Sequence, residues 1–101
     1  MDLIISQHEG KTLAKVEGRL DTTNSPEFEK KMAPMMEGAN PNIVMDCKDM
    51  VYISSSGLRL FLTLQKSVRA RGGQLVLTGL QDSIKEVFDM TGFSSIFTIQ
   101  D

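Results

Sequence analysis

The spacing of apolar residues changes period several times along this chain, and each change marks an element. Leu3 to Ser6 and Thr12 to Gly18 read as two strands joined by a hairpin turn at His8-Glu9-Gly10-Lys11. In the second strand Ala14 and Val16 alternate with Lys15 and Glu17, so one face is wetter than the other. Ile43-Val44-Met45 comes after the breakers Asn40-Pro41-Asn42 and is the short apolar run of a strand covered on both faces. That strand is expected to end at Asp46. From Leu58 the period becomes helical: Leu58, Phe61, Leu62, Leu64 and Val68 gather on one side, with Arg59, Thr63, Lys66 and Ala70 on the other. The helix is predicted to begin at Ser55 or Ser56 and run to about Arg71, with Gly72-Gly73 as its stop.

The remaining segments fill in the same way. Asn24 or Ser25 serves as N-cap for a helix with Pro26 in its first turn and Glu27 and Glu29 suited to its dipole. Phe28, Met32, Met35 and Met36 form its apolar stripe, but Pro34 removes a helix N–H, so a kink or restart is expected near Ala33. Gln74 to Thr78 is a strand. Asp82 or Ser83 caps a helix bearing Ile84, Val87 and Phe88 and ended by Gly92, and Ile96 to Ile99 is a short last strand or extended tail. Helices alternating with strands make the class α/β. The long connections favour parallel pairing of the later strands, while the opening hairpin is antiparallel. The expected architecture is one domain spanning residues 1–101, a mixed central sheet with an N-terminal hairpin and packed helices.

Chemistry concentrates at Ser54-Ser55-Ser56, where the long helix has unpaired N–H groups and the positive end of its dipole. A hydroxyl there caps the helix, and an anion there is well tolerated. The set is not that of a serine nucleophile. The one histidine, His8, lies in the first turn, and nothing before Ser55 supplies the first glycine of a Gly-x-Ser-x-Gly elbow. Nor does the triplet carry the lysine of a phosphate-binding loop. No enzyme, cofactor or metal centre is expected.

The segment Asp46-Cys47-Lys48-Asp49-Met50-Val51-Tyr52-Ile53-Ser54-Ser55-Ser56-Gly57-Leu58-Arg59 resembles the signature of the bacterial anti-anti-sigma factors, or anti-sigma factor antagonists, which are STAS domains. Gly18-Arg19-Leu20-Asp21 and Glu86-Val87-Phe88-Asp89-Met90-Thr91-Gly92-Phe93 match the family in the same order and spacing. The resemblance implies a STAS fold and a switch between partners. It places a phosphorylated serine at Ser55, modified by an anti-sigma factor with a histidine-kinase-like ATP-binding fold that acts as a serine kinase. The unphosphorylated form binds that anti-sigma factor and frees the sigma factor, and a PP2C-type phosphatase resets it. Asp21 matches the loop acid near the serine, and Gly57 the glycine that allows close approach. Asp21, Thr22, Ser54, Ser55, Ser56, Gly57 and Arg59 are the implied partner-binding residues. Many members have Asp where this chain has Ser54.

Two other readings are a STAS adaptor subunit of a transport or stress-signalling complex that binds without phosphorylation, and a small ligand- or nucleotide-binding α/β module. An apolar face left open around Leu58 to Leu64 would favour the adaptor; the lack of a glycine-rich phosphate loop disfavours the nucleotide module. For Asp21, a purely structural role in bonding backbone groups of its loop is the competing reading.

Composition narrows this only slightly. A net charge of -2 and a pI near 5.3 give no electrostatic footprint for direct nucleic-acid binding or an anionic membrane. No basic segment leading into an apolar one opens the chain, and no apolar run approaches membrane-spanning length, so a cytoplasmic domain without a membrane span is expected. The single cysteine, Cys47, reads as a small buried hydrophobe.

Overall fold

Five strands lie side by side in sequence order, and three helices cover one face of the sheet they form. A computed structural model describes every residue from Met1 to Asp101. Strand β1 (Asp2–His8) and strand β2 (Lys11–Leu20) form the antiparallel hairpin. Helix α1 (Ser25–Met32) comes next and gives way to a 3-10 turn at Ala33–Met36, where Pro34 forces the expected restart. Strand β3 (Asn42–Ile53) returns parallel to β2 and leads into helix α2 (Ser55–Ala70). Strand β4 (Gln74–Thr78), helix α3 (Asp82–Met90), a 3-10 turn at Phe93–Ser95 and strand β5 (Thr98–Gln100) complete the chain, both strands pairing in parallel.

The core lies between that sheet face and the helices. Leu3, Ala14, Val16, Ile43, Met45, Leu75 and Leu77 are buried, while their alternating neighbours Ile4 and Leu13 are exposed and Val44 and Val76 half-buried. The expectation that Ile43-Val44-Met45 is covered on both faces is therefore corrected: Val44 looks out from the open face. Each helix sends one phenylalanine into the core, with Phe28 5.9 Å from Phe61 and Phe61 6.2 Å from Phe88 between ring centres. Rings at these separations add about 0.5–1.5 kcal/mol per pair beyond simple burial. Leu62, predicted on the buried stripe of α2, is half-buried, and Gln65 turns inward instead. Its Nε2 donates to the Ile96 carbonyl at 2.7 Å, which fastens the segment before β5 to the helix.

The largest departure concerns β3. Asp46 does not end the strand; it is the last residue paired with β4, opposite Thr78, and β3 continues beside β2 to Ile53. Two register shifts explain why this was hidden. Between the Lys15–Asp46 and Glu17–Asp49 pairs β3 carries one extra residue, and another, Val51, lies between the partners of Gly18 and Arg19. Each bulge breaks the two-residue alternation by which a strand is read. Asp46 marks the first of them, its Oδ1 accepting the Lys48 N–H at 3.0 Å, and so resembles a turn residue without making a turn.

A smaller correction applies to α3. Its cap position is Gln81, in extended conformation, and Asp82 is the first helical residue, where its charge suits the dipole. The Gln81 side chain instead donates to the Lys48 carbonyl at 3.1 Å. Cys47 is fully buried, and burial, aided by the nearby Asp46 carboxylate, pushes its thiol up to about 12. It is an inert part of the core.

Candidate functional site

Strands β2 and β3 end together, and the loop after β2 and the helix start after β3 form the site. The Ser54 N–H donates to the Leu20 carbonyl at 2.8 Å, the last link of the β2–β3 pairing. That bond places the loop beginning at Asp21 beside the start of α2, at the carboxyl end of parallel strands, where open α/β sheets carry their binding surfaces.

The three serines have three different environments. Ser54 is buried at 7% exposure and extended (φ -87°, ψ 171°), and its Oγ accepts the Gly57 N–H at 3.1 Å. It is the N-cap of α2. Ser55, the first helical residue, is exposed, and its hydroxyl has no partner within the chain. Ser56 is half-buried. No acidic residue occupies the first turn of α2, so the positive end of the helix dipole is uncompensated where Ser55 stands. Arg59, exposed and four residues further on, lies on the same side of the helix as Ser55.

Gly57 explains how the helix start is held so close to the strands. A Cβ built there would lie 2.8 Å from Leu20 Cγ and 2.9 Å from Ile53 Cγ1, both closer than real contacts allow. Leu20 and Ile53 are buried, at 0% and 6% exposure, and have little room to withdraw.

On the β2 side, Asp21 and Asn24 bond each other reciprocally. The Asp21 N–H donates to Asn24 Oδ1 at 2.9 Å, and the Asn24 N–H donates to Asp21 Oδ1 at 3.0 Å. Asn24 Nδ2 also donates to the Arg19 carbonyl at 2.8 Å, and Ser25 Oγ to the Asp21 carbonyl at 2.6 Å. Asn24 thus occupies the cap position of α1 without capping it by its side chain; it fixes the loop instead. One carboxylate oxygen of Asp21 is engaged in the loop and Thr22 is exposed beside it. The structural reading of Asp21 is seen directly in these bonds, and its place right after Leu20 puts it next to the segment that enters α2.

All seven residues singled out from the sequence therefore lie on the two segments joined by the Leu20–Ser54 bond, or within the first turns of α2. Sequence reasoning missed Arg19 and Tyr52. Arg19 pairs with Tyr52 across the strands, and its guanidinium carbon lies 4.2 Å from the ring centre. A bulge places the exposed Val51 beside them, and only a break in alternation just before the serines could have signalled it.

Two surface clefts of about 370 and 420 Å³ occur elsewhere, one beside Gln65 and Arg69, the other on the open sheet face, and neither is lined by the serines. No cluster of three His, Cys, Asp or Glu residues is placed to hold a metal ion. No helix is long and apolar enough to cross a membrane. The site is an exposed helix start that neither cleft includes.

The cap has a measurable consequence. Ser54→Ala should lower stability by about 0.5–2 kcal/mol, because the Gly57 N–H is buried and loses its acceptor. Chemical denaturation should show a lower midpoint with an unchanged slope. Ser54→Asp, which restores an acceptor and adds charge at the dipole's positive end, should recover most of the loss.

Known proteins resemble this chain over nearly its whole length. BtrV of Bordetella bronchiseptica is 33% identical over 99 residues, covering 98% of this chain and 85% of that protein. The anti-sigma-B factor antagonist of Bacillus subtilis is 32% identical over 96 residues, covering 94% of this chain and 86% of its own length. Among solved structures, the anti-sigma factor antagonist SpoIIAA in its unphosphorylated form superposes with a TM-score of 0.77 at 19% identity, over 99% of this chain and 88% of that one. The family model described as the STAS domain matches residues 2–101, and with relatives above 30% identity over nearly the full length the chain belongs to the STAS domain family.

Proposed function

We propose that this domain is an anti-sigma factor antagonist whose unphosphorylated form binds an anti-sigma factor, so freeing a sigma factor, and that phosphorylation of Ser55 switches binding off. The observation that carries the switch is the contrast among the serines. Ser54 is buried and committed to the cap, Ser56 is half-buried, and only Ser55 offers an exposed, unpartnered hydroxyl at a helix N-terminus. The relatives named as anti-sigma factor antagonists supply the class of partner.

The kinase in this reading is the anti-sigma factor itself, a protein with a histidine-kinase-like ATP-binding fold, and a PP2C-type phosphatase restores the hydroxyl. Asp21, Thr22, Ser56, Gly57 and Arg59 surround Ser55 as contact or positioning residues. The domain acts in the cytoplasm and brings no catalytic group of its own. Ser54, which stands where many relatives have Asp, fulfils the capping role that an Asp would also fill. An open apolar face around Leu58 to Leu64 would favour the adaptor alternative, but Leu58, Phe61 and Leu64 are in the core and Leu62 is half-buried.

The test uses the anti-sigma factor that co-purifies with the domain from the source organism, purified and supplied with Mg-ATP. Mass spectrometry should place one phosphate on Ser55, and Ser55→Ala should abolish labelling. Phosphate on Ser56, or full labelling of Ser55→Ala, overturns the assignment.

A further inference from the structure

Immediately before the serines, β3 carries its second bulge. Gly18 pairs with Met50 and Arg19 with Tyr52, which leaves Val51 without a partner on β2. Alternation fails there: Val51 and Tyr52 are consecutive and exposed, at 52% and 39%, between the buried Met50 and Ile53. Neither belongs to the core. Bulges disrupt the hydrogen-bonded ladder locally and recur where a strand must re-aim a side chain beside a functional site. Without the bulge, two adjacent strand residues would face opposite sides and one of them would turn inward.

The neighbour across the strand completes the patch. The Arg19 guanidinium lies over the Tyr52 ring, 4.2 Å from its centre, and takes part in no ion pair. Stacking on the ring orders a side chain that would otherwise be mobile, and so lowers the entropy lost when it is bound. An ordered, exposed guanidinium is shaped to grip a carboxylate through two parallel hydrogen bonds. Arg19 and Tyr52 directly precede Leu20 and Ile53, the residues that close the β2–β3 pairing beneath Asp21 and Ser54. The patch therefore lies two residues before Asp21 on β2 and two before Ser54 on β3. Exposed apolar residues elsewhere are separate from it, Ile4 and Leu13 on the open sheet face and Met90 at the end of α3.

We propose that Val51, Tyr52 and Arg19 form the anchor by which this domain docks the anti-sigma factor, receiving an apolar surface of that partner which carries a carboxylate. The assignment rests on the partner reading above and adds to it a fixed contact that phosphorylation does not touch. Tyrosine and arginine are the residue types that most often dominate binding energy at protein interfaces. The serine, in this arrangement, decides whether the partner can close, and the anchor supplies much of the affinity.

The experiment is titration calorimetry of the unphosphorylated domain against the purified anti-sigma factor used for phosphorylation, without ATP. Tyr52→Ala should weaken binding by about thirtyfold and Arg19→Gln by about tenfold, as expected of anchor residues. The double variant should lose less than the product of the two, because Arg19 depends on the ring for its position. Ile4→Ala, on the open sheet face, should bind as wild type, and thermal melting should show all variants folded. If wild type binds while Tyr52→Ala and Arg19→Gln bind within about twofold of it, no hot spot exists there and the anchor is overturned, with the Ser55 switch left standing. If folded wild type fails to bind the anti-sigma factor at all, the partner reading fails and the anchor with it.

Discussion

Phosphorylation of Ser55 should weaken binding to the anti-sigma factor about a thousandfold, a change that requires only ~4 kcal/mol. The modification adds about -1.5 to -2 charges and three acceptor oxygens to an exposed hydroxyl at the first helical residue of α2. No acidic side chain stands in that first turn, so the helix dipole favours the new charge; the neighbouring carboxylate, Asp21, belongs to the adjacent loop, where its Oδ1 accepts the Asn24 N–H. The domain itself should therefore melt at nearly the same temperature in both forms. The loss falls on the complex, where a dianion must be stripped of water or sterically accommodated. Ser55→Ala removes a hydroxyl that caps nothing, since the cap is Ser54, and should bind as wild type whether or not ATP is present. Ser55→Asp should bind with intermediate affinity, because one charge imitates a dianion incompletely. Calorimetry of the phosphorylated protein, Ser55→Ala and Ser55→Asp against one partner reads all of these. Equal affinities throughout, with no effect of ATP on wild type, would leave a plain adaptor and no switch.

Where the pattern along the chain was local, it predicted the structure closely. The restart after Met32 came from Pro34 alone, and the end of α2 from Arg71 and the two glycines after it. The extent of β3 was not legible because its second half obeys a rule set by its neighbour. Beyond Asp46 the strand loses β4 on one side, keeps β2 on the other, and takes in two extra residues. The resulting Lys48-Asp49 and Val51-Tyr52 steps cannot be phased from sequence, since a bulge shifts every later side chain to the opposite face.

The site was legible as a place but not as a set of roles. Three consecutive serines before a helical period announce a helix start, yet any of them could cap it. The choice is made by tertiary contacts: the Leu20 carbonyl fixes the Ser54 N–H, which turns the Ser54 hydroxyl inward onto Gly57 and leaves Ser55 outside. Asp21 directly follows Leu20, whose carbonyl accepts the Ser54 N–H, while its reciprocal bonds with Asn24 depend on a loop geometry that the sequence does not encode residue by residue.

Gly57→Ala should lower both stability and partner binding, whereas Gly73→Ala should lower stability alone. For Gly57 two effects compete. Alanine in a helix is favoured over glycine by about 0.8–1.0 kcal/mol. Against that, the new methyl group meets Leu20 Cγ at 2.8 Å and Ile53 Cγ1 at 2.9 Å, side chains that are themselves buried. Overpacking of that kind costs roughly 1–3 kcal/mol, so a net loss of up to about 2 kcal/mol remains. In a domain of this size each kcal/mol corresponds to roughly 4–8 °C in the melting midpoint. The residues that must yield, Leu20 and Ile53, immediately precede Asp21 and Ser54, so the displacement passes to both halves of the site. Misplacement there should cost about tenfold in affinity, equivalent to ~1.4 kcal/mol. At Gly73 the added methyl runs into the backbone carbonyl oxygen of Pro41, which already accepts the Gln74 N–H at 2.8 Å. Backbone yields less readily than a side chain, so this variant should be destabilised at least as much as Gly57→Ala. It lies at the far end of α2, sixteen residues of helix away from Ser54, and should bind the anti-sigma factor as wild type below its melting temperature. Melting and calorimetry on the two variants together separate a residue that shapes the docking surface from one that only closes the fold. Equal binding by both would show that the close approach at Gly57 serves packing alone.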